Sequence, residues 1–262
     1  MIESEADKAT LSSYDRASEH GTGKKTVSSD QSSFAFSPPL LPTVSIRGTE
    51  LAFPVNRIFC VGRNYEAHAK EMGMTVDREE PFYFIKSASS IVASGATVPY
   101  APGTNNLHHE MELVVAIGKP AFRVTAGDAP EAIYGYACGL DMTRRDLQFK
   151  ARDKGRPWDL GKNFENSAVI SEIVPVSQTG HIESGDIRLS VNDDLRQRGD
   201  ISDLIWNVSE LIADLSKYYH LQPGDLLYTG TPAGVGPVEP GDRIQGSIEN
   251  IGEITLTIAP AK

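Results

Sequence analysis

Cysteine is scarce. Two residues in 262, Cys60 and Cys138, lie far apart and form no C-x-x-C pair. No dense disulfide framework is encoded; one bridge stays open, but reduced, buried thiols in the cytoplasm are the simpler expectation. Long apolar runs are missing as well. A membrane helix needs ~18 consecutive apolar residues, and the longest stretches here, such as Leu113–Ile117, are strand-sized. Residues 1–33 contain no apolar segment and start with Glu3, Glu5 and Asp7, unlike a secretory signal or a basic presequence. Basic residues are in deficit: 25 Lys+Arg stand against 35 Asp+Glu, a formal net charge of −10. That balance argues against nucleic acid or a membrane surface as a partner. No repeat of fixed period is visible.

What is present is an ordinary globular composition, 40% hydrophobic and 23% charged. Ser and Thr crowd residues 1–33, which hold little that could be buried, so this segment reads as a flexible tail. Pro38, Pro39 and Pro42 mark an extended lead-in over 34–56. Residues 57–262 remain for one core. Gly and Pro punctuate short β-rich runs at Arg57–Val61, Pro81–Ile85, Glu112–Ile117, Ile187–Val191 and Glu253–Ile258. The last two alternate apolar and polar residues, as half-exposed strands do. Helical patterns are fewer: Tyr65–Gly73, Arg144–Lys154, and Ile201–His220 as one long amphipathic helix. The fold class is α+β or mixed β, not a doubly wound sheet.

Four segments could carry chemistry. In Leu107–Gly118, read as a strand, Glu110 and Glu112 share a face, close enough to grip one cation. Oxygen-only ligation suits a hard ion, Mg²⁺, Mn²⁺ or Ca²⁺; from this segment alone the exposed face of an edge strand is the favoured explanation of the pair. His108 has the same parity and could be a ligand, a group behind one, or a loop residue. Asp141, at the end of the strand-like run Ala132–Leu140, could supply a third ligand or cap the next helix. On a short helix His68 and Glu71 are i,i+3 neighbours, a carboxylate-oriented imidazole able to activate water, or else a solvated pair. Arg63, after Gly62, could meet an anionic carboxylate or solvent. Lys162, between Gly161 and Phe164, needs a carboxylate partner, from a ligand or from Asp159 or Asp146. Leu227–Pro237 is a rigid Gly/Pro loop with free amides, either an anion cradle or a plain turn, and is no Walker motif.

Together these segments resemble the fumarylacetoacetate hydrolase family. The residues that carry the likeness are Val61-Gly-Arg-Asn-Tyr65 with His68 and Glu71, Glu110-Met-Glu112, Leu140-Asp-Met-Thr143 with Arg145-Asp-Leu-Gln148, Lys162, and Thr229-Gly-Thr-Pro232 with Gly234-Val-Gly236. The branch most similar is that of the acylpyruvate hydrolases, and Cys60–Pro81 is especially similar to bacterial fumarylpyruvate hydrolases. The resemblance implies a β-roll catalytic domain with a few peripheral helices over 57–262, usually a homodimer, holding Mg²⁺ (Mn²⁺ or Ca²⁺ in its place). It implies Glu110, Glu112 and Asp141 as metal ligands. His68 and Glu71 would activate water, with Lys162 as a further catalytic group. Arg63, Arg145, Gln148 and Thr231 would bind a small anionic 2-oxo acid. The implied reaction is hydrolysis of the C–C bond of a 2,4-dioxo acid, releasing pyruvate and a carboxylic acid. Rival readings are oxaloacetate decarboxylation, isomerisation or decarboxylation of muconate-pathway hydroxy-dienoates, and a non-catalytic metal-binding scaffold; the His68–Glu71 pair favours hydrolysis. Two departures stand out: Lys86-Ser87 replaces the family's frequent Lys-Pro, and residues 1–33 match nothing in it.

Overall fold

A computed structural model of the chain describes residues 34–71, 78 and 80–262. The expected tail over 1–33 and the expected helix end at Gly73 lie outside these. The chain divides into two units, Met1–Leu40 and Leu41–Lys262. Within the first, residues 34–40 contain no helix or strand. In the second, Thr43–Ser45 and Ala52–Pro54 pair as an antiparallel hairpin whose Val44 and Phe53 are buried. Part of the expected lead-in is therefore integral to the folded body.

The framework is a curled sheet of eight strands. Its main path runs Phe82–Lys86, Ile58–Gly62, Leu226–Tyr228, Met111–Ile117, Ile133–Asp141, Ala168–Ile170 and Ile91–Ala93, and Val174–Pro175 joins Ile133–Asp141. A second sheet orders Asp194–Asp200, Asp186–Val191, Arg243–Ile248, Gly252–Ala259 and Thr97–Pro99. Short helices lie outside these sheets, giving the expected mixed α+β architecture with peripheral helices.

Met111–Ile117 is buried at every position because it runs through the middle of the large sheet. Its alternate residues serve two cores. Met111, Leu113, Val115 and Ile117 join a large core shared with the second sheet, including Ile187, Leu189, Ile244 and Ile254. Val114 and Ala116 join a smaller core with Ile58, Cys60, Ala137, Tyr228 and the hairpin's Val44 and Phe53. Glu112 shares the parity of Val114, and Asp141 shares that of Ala137. The apolar face of the smaller core thus ends in carboxylates.

Two expectations change. The long helix over Ile201–His220 is broken into a short 3₁₀ turn, Ile201–Asp203, and a helix, Val208–Tyr218. The amides of Ile205 and Trp206 donate to the backbone and side-chain oxygens of Asn64 (2.9 and 2.8 Å), so they are lost to an i−4 ladder. Asn207 then starts the second helix in a reciprocal box with Glu210. The second change is Asp194–Asp200, a strand too polar to show a strand pattern. It is turned back from Asp186–Val191 by Asn192 and Asp193, both at positive φ. Among the described residues no helix is long and apolar enough to cross a membrane.

Candidate active site

The expected strand over Leu107–Gly118 is two strands that change sheets at Glu110. Leu107–His109 pairs with Thr143–Arg144 and Gly236–Pro237, whereas Met111–Ile117 enters the large sheet. Glu112 lies opposite Gly139, and the Asp141 amide donates to the Glu110 carbonyl (2.9 Å). This register gathers one oxygen each from Glu110, Glu112 and Asp141 within 4.8 Å of one another, all three residues buried. The edge-strand explanation falls, because Met111–Ile117 has a strand on either side. Asp141 ends its strand and caps no helix; Arg144 occupies that position.

Buried carboxylates need positive charge around them. Lys162 Nζ donates to Glu110 Oε2 and Asp141 Oδ2 (both 2.7 Å) and to Thr143 Oγ1 (2.8 Å). Neither Asp159 nor Asp146 is its partner. Gly161 permits this placement: a Cβ there would lie 2.8 Å from the Gln148 amide nitrogen, so only glycine lets the turn press against the Arg145–Asp153 helix. Arg145 donates to Glu110 Oε1 (2.5 Å) and to Gln148 Oε1 (2.6 Å). Lys86, noticed in the sequence only as a departure, is fully enclosed with Nζ 2.8 Å from Asp141 Oδ1. That contact lacks hydrogen-bond geometry, and Asp141 Oδ1 accepts no hydrogen bond. Glu112 accepts the Gly230 amide (2.8 Å).

The titration directions follow from these contacts. Burial alone would raise the Glu110 pKa, but Lys162 and Arg145 outweigh it and hold the carboxyl well below its ordinary range. Burial, then Asp141 and Glu110, push Glu112 well above it. Burial opposes the Lys162 charge, yet Asp141 and Glu110 raise its pKa. The cluster therefore retains a demand for positive charge at Glu112. Three buried carboxylates offering only oxygen, one of them with an oxygen that accepts no hydrogen bond, fit a hard divalent cation.

The second half of the site is a short helix, Glu66–Glu71. His68 is buried, with Nδ1 3.2 Å from Glu71 Oε2. Both Glu71 oxygens accept the Gly234 amide (3.1 and 3.2 Å). The pair is thus held by the protein rather than by solvent. Burial lowers the His68 pKa, and Glu110 and Glu71 only partly restore it. The Gly/Pro loop does cradle anions, and they are the protein's own: Gly230 serves Glu112 and Gly234 serves Glu71. Gly234 sits at φ +95, where a Cβ would meet the Arg196 carbonyl oxygen at 2.0 Å.

Arg63, His68, Glu110, Glu112, Arg145, Gln148, Lys162 and Thr231 line one cavity. Glu71 and Asp141 stand behind it, bonded to His68 and Lys162. Arg63 adopts φ 64, in the left-handed region, at a cost of about 1–3 kcal/mol for a non-glycine residue. The turn is pinned by Asn64 Nδ2, which donates to the carbonyls of Trp206 and Thr229 (3.0 and 2.8 Å). His108 is no ligand: its Nε2 meets Asn106 Oδ1 (2.9 Å) and its Nδ1 faces Arg145 Nε (3.4 Å). Burial and the Arg145 charge press its pKa down to about 4.

Sequence reasoning missed several residues. Gln197 is buried on the polar strand Asp194–Asp200. It donates through Nε2 to Thr231 Oγ1 and the Pro232 carbonyl (both 2.8 Å) and accepts the Met111 amide (3.0 Å). Its only sequence signal is that it is the one neutral polar side chain in Asp194–Asp200. Phe84, Phe149, Arg152 and Trp158 also line the cavity. Arg145, Gln148, Phe149 and Arg152 follow the i, i+3, i+4, i+7 spacing of one helix face, which was legible once Arg145 was placed.

The profile of the fumarylacetoacetate (FAA) hydrolase C-terminal family matches residues 57–259. A fumarylpyruvate hydrolase of a Ralstonia species is 61% identical over 193 residues, covering 73% of this chain and 100% of that protein. An oxaloacetate tautomerase of Escherichia coli is 40% identical over 199 residues, covering 76% of this chain and 90% of that one. Among solved structures, a fumarylpyruvate hydrolase from Pseudomonas aeruginosa in complex with Mn²⁺ and pyruvate superposes with a TM-score of 0.84. It is 47% identical, and the match covers 87% of this chain and 99% of that one.

Proposed function

The chain belongs to the fumarylacetoacetate hydrolase family, and from that premise we propose that it is a metal-dependent hydrolase that cleaves fumarylpyruvate to pyruvate and fumarate. The observation that carries this reading is the opening of the carboxylate cluster and the His68 imidazole onto one cavity. Glu110, Glu112 and Asp141 would hold Mg²⁺, with Mn²⁺ or Ca²⁺ able to replace it. When bound, the ion supplies electrostatic stabilisation for the negative charge that C–C cleavage leaves on pyruvate. Three carboxylates already face three basic side chains, Lys86, Arg145 and Lys162, so a dication leaves two positive charges to match a dianionic substrate.

The chain's own groups divide the rest of the work. His68 donates through Nδ1 to Glu71, which leaves Nε2 free to accept a proton from water. Its depressed pKa keeps the imidazole neutral and ready at neutral pH. As that proton arrives, the Glu71 carboxylate stabilises the imidazolium, and the Gly234 amide keeps Glu71 in place. The hydroxide adds to the distal carbonyl carbon. The oxyanion so formed collapses to the carboxylic acid as the adjoining C–C bond breaks, and the His68 imidazolium returns its proton to the departing pyruvate carbon. The Lys162 ammonium, whose three protons go to Glu110, Asp141 and Thr143, stabilises that oxyanion through its charge. Gln148, Arg145 and Thr231 position the 2-oxo acid.

A homodimer is supported by the apolar hollow around exposed Phe82, Ile85 and Tyr219, and a cytoplasmic location by two free, buried thiols. The test is direct. Purified protein with Mg²⁺ should consume fumarylpyruvate, read as decay of the enol absorbance, and EDTA should stop it. His68→Ala should lower kcat by ~10²–10⁴-fold with metal affinity nearly intact; normal turnover by that variant would remove the assigned base. The tautomerase relatives supply a second reading: oxaloacetate keto–enol exchange that far outruns fumarylpyruvate cleavage would replace the first.

A further inference from the structure

The Arg145–Asp153 helix lays a graded face along the cavity. At its first residue Arg145 is buried against Glu110, its side chain 2% exposed. Two turns on, Arg152 also lines the cavity, with its side chain 33% exposed. Seven residues of helix separate them, ~10 Å along the axis. Gln148 and Phe149 fill the interval. The face therefore runs from the carboxylate cluster towards the cavity mouth and carries a guanidinium at both ends.

We infer that Arg152, together with Arg63, forms a subsite for the distal carboxylate of the acyl group and so selects dicarboxylic acylpyruvates over those with neutral acyl chains. This rests on the acylpyruvate hydrolase reading above. Both guanidiniums are backed by aromatic rings. Arg152 lies 4.5 Å from the Phe149 centroid, and Arg63 lies 5.4 Å from that of Phe82 and 5.8 Å from that of Trp158. Stacking fixes the guanidinium plane and leaves its N–H edge for a planar carboxylate. Among the described residues Glu110 and Glu112 are the only carboxylates lining this cavity, and both belong to the cluster. Arg152 does pair with Asp153 (3.1 Å), a residue whose side chain is 64% exposed. A surface pair of that kind is weak, and a ligand carboxylate displaces it at small cost. A neutral acyl terminus would leave Arg152 with only its exposed Asp153 pair and supply no anion to Arg63.

The measurement is kcat/KM for fumarylpyruvate divided by that for acetylpyruvate, with Mg²⁺ present. The wild type should favour fumarylpyruvate. Arg152→Gln should lower the ratio by roughly ten- to a hundredfold, chiefly through KM for fumarylpyruvate. Arg63→Gln should lower it as well, and Arg152→Lys should restore part of the loss by keeping the charge without the fork. A ratio that stays within about twofold of wild type, an equal loss on both substrates, or a wild type that favours acetylpyruvate would each overturn the subsite. A wild type that cleaves neither substrate would remove the hydrolase reading and the subsite together.

Discussion

The two halves of the site are built to different rules. The charged cluster hangs on the ends of central strands, and each of its carboxylates is buried among fixed partners: Lys162, Lys86, Arg145 and the Gly230 amide. The base hangs on a peripheral helix of six residues, and its orienting carboxylate, Glu71, is 35% exposed and tied to the Gly234 amide. A group that must hold charge in a dry interior cannot tolerate displacement, since an unpaired buried ion costs several kcal/mol. A group that must meet water and substrate needs access instead. The cluster should therefore govern stability as much as activity, and the His68 helix activity alone.

Asp141→Ala gives the largest test of that division. Among the described residues it leaves Lys86 without a carboxylate partner and Lys162 with Glu110 as its one carboxylate. Breaking such buried pairs costs about 3–5 kcal/mol, so denaturant unfolding should show a loss of that size along with loss of activity. Adding Lys86→Met should restore part of the stability and none of the activity. Unchanged stability in the single variant would mean that the cluster is not a dry ion network.

Glu71→Gln sharpens the other half. Burial lowers the His68 pKa while Glu110 and Glu71 raise it. The unfolded imidazole therefore binds its proton at a higher pH than the folded one does. Stability falls as pH drops below about 6.5, the unperturbed value, whereas base function falls only as pH drops through the lower folded value, and both are flat above about 6.5. Removing the Glu71 charge should move the acid limb of kcat/KM to lower pH. It should also forfeit a part of the ~10²–10⁴-fold that a general base contributes. Thermal stability at pH 8 should barely change. A limb that stays in place would separate Glu71 from the His68 titration.

The sequence exposes these halves unequally. Glu110-Met-Glu112 and the His68–Glu71 spacing are local patterns, readable because a strand repeats every two residues and a helix every three to four. Whether the Glu110 strand lay at an edge was not readable, because its neighbours, Leu226–Tyr228 and Ile133–Asp141, are set by long-range pairing. The same limit hid the partners of Lys162, since Asp159 is nearer in sequence but the ammonium pairs with Glu110 and Asp141. It also hid the break in Ile201–His220, which a distant asparagine causes by taking two amides. Gln197 was invisible for a related reason: its strand is polar, and its value lies in tying Thr231 to the Met111 amide. Local chemistry was legible, and the contacts that convert it into a site were not.

Thr231→Val is the smallest and most discriminating test, because the loop that carries Thr231 joins the two halves. Gly230 holds Glu112 and Gly234 holds Glu71, so a shift in this loop would disturb both. The Thr231 hydroxyl accepts from Gln197, which leaves its own proton to donate into the cavity it lines. Valine keeps the shape and removes that donor, while Gln197 retains the Pro232 carbonyl. One hydrogen bond is worth about 1 kcal/mol, so kcat/KM should fall roughly fivefold through KM, with the pH limb of His68 unmoved, and Thr231→Ser should recover it. If the acid limb moves as well, the hydroxyl is maintaining the loop rather than binding substrate, and the two halves are mechanically one.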